Sequence, residues 1–285
     1  MHINYWEHAT TSVQGRIGGA LLGAVLVAAL IGPIVAGSAD LPSRDIFHPP
    51  SAAHPLGTND FGQDVLGLLL AGARLSLTVA LSAGLLTTVL SALVGAGAVM
   101  TGGLWDRVLM RFTDVMLAVP SVVVIIVIAA YLRLNPVGLI LLIALFGWPG
   151  TARVIRARTL TLVGRTHVLA AWTFGAAKPY LLYRHILPDL VPLLLVGFLQ
   201  SARRAVFLEA GLAFLGIGDP TVVSWGIMIQ NALRFYYMEA WVWLLLPPAL
   251  AVAATILAFN LLGNSIEQAV DPRLRRLHTK GVANA

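Results

Sequence analysis

Six apolar runs separated by polar connections set the pattern of this chain. They cover residues 17–36 and about 75–100, 115–132, 137–155, 190–208 and 241–263. A helix rises 1.5 Å per residue and a hydrocarbon core is about 30 Å thick, so a crossing takes roughly 17–25 residues. Each run meets that length. The pattern predicts an all-α membrane protein with six transmembrane helices. For the first run, a signal peptide is the competing reading, with Ala36-Gly37-Ser38 as its cleavage zone. The apolar core is long for a signal, and no Lys or Arg precedes Arg16, so it reads as an uncleaved span.

The connections carry their own signals. Residues 37–72 are rich in Pro, Asp and His. Within them, His54-Pro-Leu-Gly-Thr-Asn-Asp-Phe-Gly-Gln-Asp64-Val65 predicts a turn and then a short helix, capped by Thr58 or Asn59. A Gly-Gly turn at 102–103 follows the second run. Asp106, Arg107, Arg111 and Asp114 punctuate a helix that continues into the third run, where Pro120 predicts a kink. Asn135-Pro136 predicts a tight turn. Glu209 to Gly218 is a less regular, small-residue stretch, and 219–240, with Ser224-Trp225-Gly226, is an outer loop.

Residues 166–190 are the longest polar-containing stretch between two strongly apolar segments. They predict two short helices broken near Gly175. Ala170, Ala171, Trp172 and Phe174 suit the first. Pro179 suits the first turn of the second, where its missing N–H costs nothing. Gly175 can take the left-handed conformation that ends a helix. Pro188 marks the turn into the fifth run. Such a helix–turn–helix at a membrane surface is a rigid knob. It can pass a push from a soluble partner to the helices it joins.

Composition agrees with the pattern. The 285 residues are 58% hydrophobic and only 11% charged, with mean hydropathy +0.83. A soluble domain carries roughly a quarter charged residues. There is no cysteine, which removes disulfides, thiol nucleophiles and Cys-ligated metals. The nineteen basic residues flank the apolar runs and form no continuous stripe, which argues against nucleic acid. Arg44, Arg74, Arg133 and Arg234 fall on one side and thirteen fall on the other, which places both termini and the 166–190 loop in the cytoplasm. Arg203 and Arg204 lie inside the fifth run, where a charge must face protein or water. Neighbouring helical residues point about 100° apart, so the pair should see two environments. One is expected to line a pathway and the other to meet a carboxylate from a partner chain. Glu209 is a third charge near membrane depth.

No catalytic constellation stands out. The only lysines, Lys178 and Lys280, precede Pro179 and Gly281, so no G-x-x-x-x-G-K-[ST] nucleotide loop exists. There is no H-E-x-x-H, and the seven histidines are scattered. His48 and His54 could share a metal, but two histidines in a Pro-rich loop read as surface residues. Energy must come from another subunit or from a gradient.

The spacing Ala170-Ala171, three residues, Gly175, ten residues, Ile186-Leu187-Pro188 resembles the EAA loop of ABC-importer permeases. His54 to Val65 and Asp271-Pro-Arg-Leu-Arg275 resemble two further motifs of the dipeptide, oligopeptide and nickel group, in the same order. Gly147 to Arg153, Glu209 to Gly218, Ser224 to Gly226 and Leu257 to Gly263 also look like that group. Two positions depart from it: Leu169 stands where the family has Glu, and Gln63 where it often has Arg.

The resemblance covers about 54–276 and implies a type I importer permease fold, closest to the second, C-type subunit. It implies a cytoplasmic tail (1–16), a first helix (17–36), an outer loop with a short helix (37–72), a five-helix transmembrane domain (73–264) and a basic tail (265–285). The ATPase contact would use Leu169, Ala170, Ala171, Gly175, Ala176, His185, Ile186, Leu187 and Pro188. Without the Glu, shape and apolar contact would carry the coupling. The implied partners are a second, homologous permease, two ATPases or one fused ATPase, an extracytoplasmic binding protein and membrane lipid. ATP and Mg would be bound by the ATPases and no cofactor by this chain. The implied location is the bacterial inner membrane. Peptides are the expected cargo, and nickel, glutathione or haem-like molecules the alternatives. A secondary transporter or channel would show paired intramembrane carboxylates or internal repeats, and neither is evident.

Overall fold

The computed structural model describes residues 12–35 and 42–270, and its regular elements there are helical. Ala36-Gly37-Ser38 and the basic tail from Asp271 lie outside the described residues. The first helix, α1, is Val13–Val35 and begins four residues before the expected span.

Helix α2, Val65–Thr101, merges two expected elements. The short helix of the 37–72 connection and the second span are one continuous helix. Its cap is Asp64 rather than Thr58 or Asn59: the carboxylate accepts from the Gly67 N–H at 2.9 Å. Thr58 and Asn59 are occupied in the turn before it. The buried Thr58 hydroxyl accepts from the His48 N–H at 2.8 Å and donates to the Asp45 carbonyl. Asn59 Oδ1 accepts from the N–H groups of Phe61 and Gln63 at 3.0 and 2.8 Å.

Helices α3 (Gly103–Ala118) and α4 (Ser121–Leu132) replace the single kinked helix expected at Pro120. They meet at 76°. Val119 is extended, with φ −92° and ψ 130°, as the residue before a proline prefers. At 12 residues, α4 is about 18 Å long and cannot cross a bilayer alone. Among the described residues, five helices are long and apolar enough to cross, or six crossings if α3 and α4 form one bent span.

Helix α5 is Pro136–Val163, and Asn135 caps it by accepting from the Gly138 N–H at 2.8 Å. Two short helices follow, α6 (Thr166–Thr173) and α7 (Lys178–Leu181). A π turn, Leu182–Ile186, leads from α7 into α8, Leu187–Phe214. The chain therefore does not turn at Pro188. In a regular helix a proline ring clashes with the carbonyl four residues back, and the wider π turn relieves that clash. Helix α8 also extends past the expected end at 208, so Glu209–Phe214 is helical rather than irregular.

The expected outer loop contains a helix, α9 (Trp225–Leu233), capped by the Ser224 hydroxyl. Trp225 is 2% exposed, and its indole N–H donates to the Leu69 carbonyl at 2.9 Å. Beside it, Asp219 is held below the usual carboxylate range by hydrogen bonds from the Thr221 hydroxyl and backbone N–H. Helix α10, Trp241–Val270, closes the described chain and passes through Pro247 and Pro248.

Helix α2 lies at the centre of the bundle, against α5, α8 and α1. Small residues make these contacts close, as lipid-embedded helices require. Ala80, Ala83, Ala202 and Ala205 are fully buried. At Gly95 a Cβ would lie 2.5 Å from the Ala152 carbonyl oxygen, so α2 and α5 touch backbone to backbone. One apolar cluster joins Val79 and Ala83 to Ile125, Ile143, Leu208 and Leu212. A second joins Ala80 to Val196, Leu199 and Phe259.

Candidate functional site

The 166–186 segment forms the expected knob. Phe174 is the C-cap of α6, and Gly175 reverses the chain with φ 85°. The Ala176 N–H then bonds the Ala171 carbonyl at 3.1 Å. Pro179 occupies the first turn of α7 as expected. Val168, Leu181 and Ile186 are buried, and Ile186 packs with Ile155 and Leu162 of α5 and Leu190 of α8. At the base, the Arg165 guanidinium donates to Asp189 Oδ2 at 2.7 Å and ties the two strands of chain together. The His185 ring is tilted against His167 and edge-on to Tyr180, with ring centroids 6.0 and 5.8 Å away.

The outer surface of the knob presents large apolar and aromatic side chains beside exposed Lys178 and Arg184. Phe174 is 90% exposed, and Leu169, Trp172 and Tyr180 are about half exposed. Ala170 and Gly175 are also exposed, and Ala171, Ala176, His185 and Leu187 are half-buried. Ile186 faces inward, and Pro188 is exposed on the first turn of α8. The nine residues expected to form the contact thus divide between a presented surface and its support. Trp172, Phe174 and Tyr180 extend that surface, and their exposure against an apolar composition is what the sequence alone did not rank.

Arg203 and Arg204 line one recess of about 390 Å³ between α5, α8 and α10, with Thr151, Gln200, Ser201 and Glu267. This corrects the expectation of two separate environments. Arginine side chains are long enough to bring two guanidinium groups to one recess from adjacent positions. Arg203 Nη1 donates to Asn260 Oδ1 at 2.9 Å. Their depth is set by Ala202, which packs against Gly84 near the middle of α2. Glu209 does not join them. It is 4% exposed, buried against α2, and accepts from the Ser76 hydroxyl at 3.1 Å. The same Ser76 oxygen accepts from the Trp225 N–H at 3.4 Å. Glu209 thus pins α9 and α2 to α8.

His48 and His54 face different partners. His54 Nδ1 lies 3.3 Å from Asp64 Oδ1, and His48 Nδ1 lies 2.9 Å from the Pro49 carbonyl. Among the described residues no three His, Cys, Asp or Glu converge as metal ligands.

Comparison with known families matches residues 84–276 to binding-protein-dependent transport system inner membrane components. The chain belongs to that family. It is an inner-membrane component of a transport system, and its long apolar helices make it a multi-pass membrane protein. The oligopeptide transport system permease protein OppC of Bacillus subtilis is 33% identical over 229 residues, 80% of this chain and 74% of its own. The dipeptide transport system permease protein DppC of the same organism is 34% identical over 229 residues, 80% of this chain and 71% of its own. A Brucella suis protein described as a peptide permease is 38% identical over 226 residues, 79% of this chain and 74% of its own.

In this inner-membrane component a set of ion pairs frames the knob, and sequence reading did not pair them. Asp106 on α3 takes both prongs of Arg156 on α5, at 2.7 and 2.6 Å. Asp114 pairs with Arg153 one turn earlier on α5. With Arg165–Asp189 these pairs couple α3, α5 and α8 on the side where the knob sits. The signal in the sequence was the set of charges Asp106, Arg107, Arg111 and Asp114, which shows charges facing something polar but not what.

Proposed function

We propose that the chain is the permease subunit of an ATP-driven peptide importer. It would form half of the translocation pathway, with a homologous permease as the other half. Two ATPases or one fused ATPase would hydrolyse ATP with Mg, and an extracytoplasmic binding protein would deliver the cargo. The chain itself then needs no cofactor and performs no catalysis. Both termini lie in the cytoplasm on this reading, and the 166–186 knob docks into the ATPase.

The observation that carries the reading is the knob: an exposed apolar surface on a segment whose base is clamped by Arg165–Asp189 and by buried Val168, Leu181 and Ile186. A soluble-facing surface with Phe174 almost fully exposed fits a partner of apolar shape. The absence of Glu at Leu169 fits the same view, because no carboxylate is then left to pair. The peptide assignment is supported by the names of the B. subtilis relatives.

The test is reconstitution with the cognate permease, ATPases and binding protein. Phe174→Ser is expected to reduce co-purification of the ATPase and to remove peptide-stimulated ATP hydrolysis. Undiminished stimulation would show that the knob is not the docking element.

A further inference from the structure

The recess at Arg203 and Arg204 has features that neutralising charge alone does not require. Arg203 is held by a neutral amide, Asn260, and not by a carboxylate. Arg204 is exposed and makes no hydrogen bond or ion pair among the described residues. Glu267 lines the same recess, yet neither arginine is bonded to it. Two cations and one anion therefore share a recess without closing on one another. Arginines as deep as Arg203 and Arg204 face protein or a water-filled cavity, and such positions mark substrate routes.

We propose that this recess recognises the two charged ends of a short, unmodified peptide during passage. Arg204, with Arg203 beside it, would bind the C-terminal carboxylate, and Glu267 would bind the N-terminal ammonium. This rests on the peptide-importer reading and deepens it to zwitterionic peptides with free termini. The dimensions agree. Asn260, which orients Arg203, and Glu267 are seven residues apart on α10, or about 10 Å along the axis. An extended chain spans at most about 3.3–3.6 Å per residue, so the ends of a two- to four-residue peptide lie about 7–14 Å apart. The recess volume of about 390 Å³ falls in the range of small-ligand clefts, about 300–1,000 Å³. Gln200, Ser201 and Thr151 supply uncharged hydrogen-bonding groups in the same recess, which suits a peptide backbone and leaves side chains unread. An arginine fork matches a carboxylate geometrically and a lysine does not, so two arginines fit the carboxylate end.

The experiment uses the whole complex in proteoliposomes, with the binding protein saturated by one of three forms of a tripeptide: free, C-terminally amidated, or N-acetylated. The wild-type complex is expected to move the free form fastest. Arg204→Gln is expected to slow the free form by about tenfold, the loss of one charge-assisted hydrogen bond, and to leave the amidated form at its wild-type rate. Glu267→Gln should remove the preference for the free over the N-acetylated form. Arg204→Lys should retain part of the carboxylate preference. The proposal is overturned if Arg204→Gln slows free and amidated peptides equally, or slows neither. It is also overturned if Arg204→Gln reduces co-purification of the partner permease, because the carboxylate would then be the partner's. A wild-type complex that moves none of the three forms overturns the peptide reading itself, a failure visible before any variant is compared.

Discussion

At Gly175, φ is 85° and a Cβ would meet nothing within 4 Å, so the constraint is torsional rather than steric. A β-branched residue there is strained by about 1–3 kcal/mol, whereas Asn tolerates the left-handed region. Gly175→Val is expected to cut peptide-stimulated ATP hydrolysis by the assembled complex about tenfold, and Gly175→Asn to keep most of it. Equal rates for the two variants would sink the torsional argument. The Leu169 side chain, about half exposed on the knob, has no hydrogen bond to lose, so Leu169→Glu should change stability by less than about 0.5 kcal/mol, read as the Tm in detergent. Glu209 behaves differently. Ser76→Ala removes one of its two hydroxyl donors, Ser224 being the other, at a cost of about 1–3 kcal/mol, and should lower the Tm in detergent. A Tm unchanged within error would show that Ser76 does not satisfy the carboxylate. Gly175 was legible in the sequence because its demand is local. The Ser76–Glu209 pair was not, since the partners are 133 residues apart.

Among the elements, α3 depends most on polar contacts, because only Thr113 of its residues is buried. It is held on α5 by the Asp114–Arg153 pair and by the two-pronged Asp106–Arg156 pair, whose side chains are 19% and 29% exposed. Hydrogen bonds to charged groups contribute about 1.5–3 kcal/mol each when formed away from water, and partial exposure lowers that. Arg156→Lys keeps the charge but loses one prong. Faster hydrogen exchange across 103–118 is expected in Arg156→Lys and more so in Arg156→Ala. Identical protection in both variants and wild type would mean that the Asp106–Arg156 pair does not hold α3. Element breaks at Pro120 and Asn135 were readable because proline and a capping side chain act on their own backbone. Pro188 misled for the same reason: its local penalty is relieved by the π turn at Leu182–Ile186, which no propensity announces. Ser224-Trp225-Gly226 read as outer loop because its burial depends on Leu69 and Ser76, supplied by a distant helix.

For the whole molecule, orientation is the testable property. The native chain has no cysteine, so a single introduced thiol reports without background. Ala52 and Gly164 are both exposed. Ala52→Cys should react with an impermeant reagent added to intact cells, and Gly164→Cys only after lysis. The reverse labelling would overturn the termini-inside arrangement. By itself the sequence determined the solvent, the helical class, the count of apolar runs and the broken helical knob within 166–190. These follow from transfer of apolar side chains out of water and from backbone torsion, which each segment expresses alone. The tertiary structure decided which polar groups meet: Arg203 with Asn260, Arg204 and Glu267 at one recess, Glu209 with Ser76, and Asp106 with Arg156. Those pairings depend on the rotation and register of helices packed through small residues. Lipid on every side rewards no one rotation over another, so only the fit of facing side chains selects it.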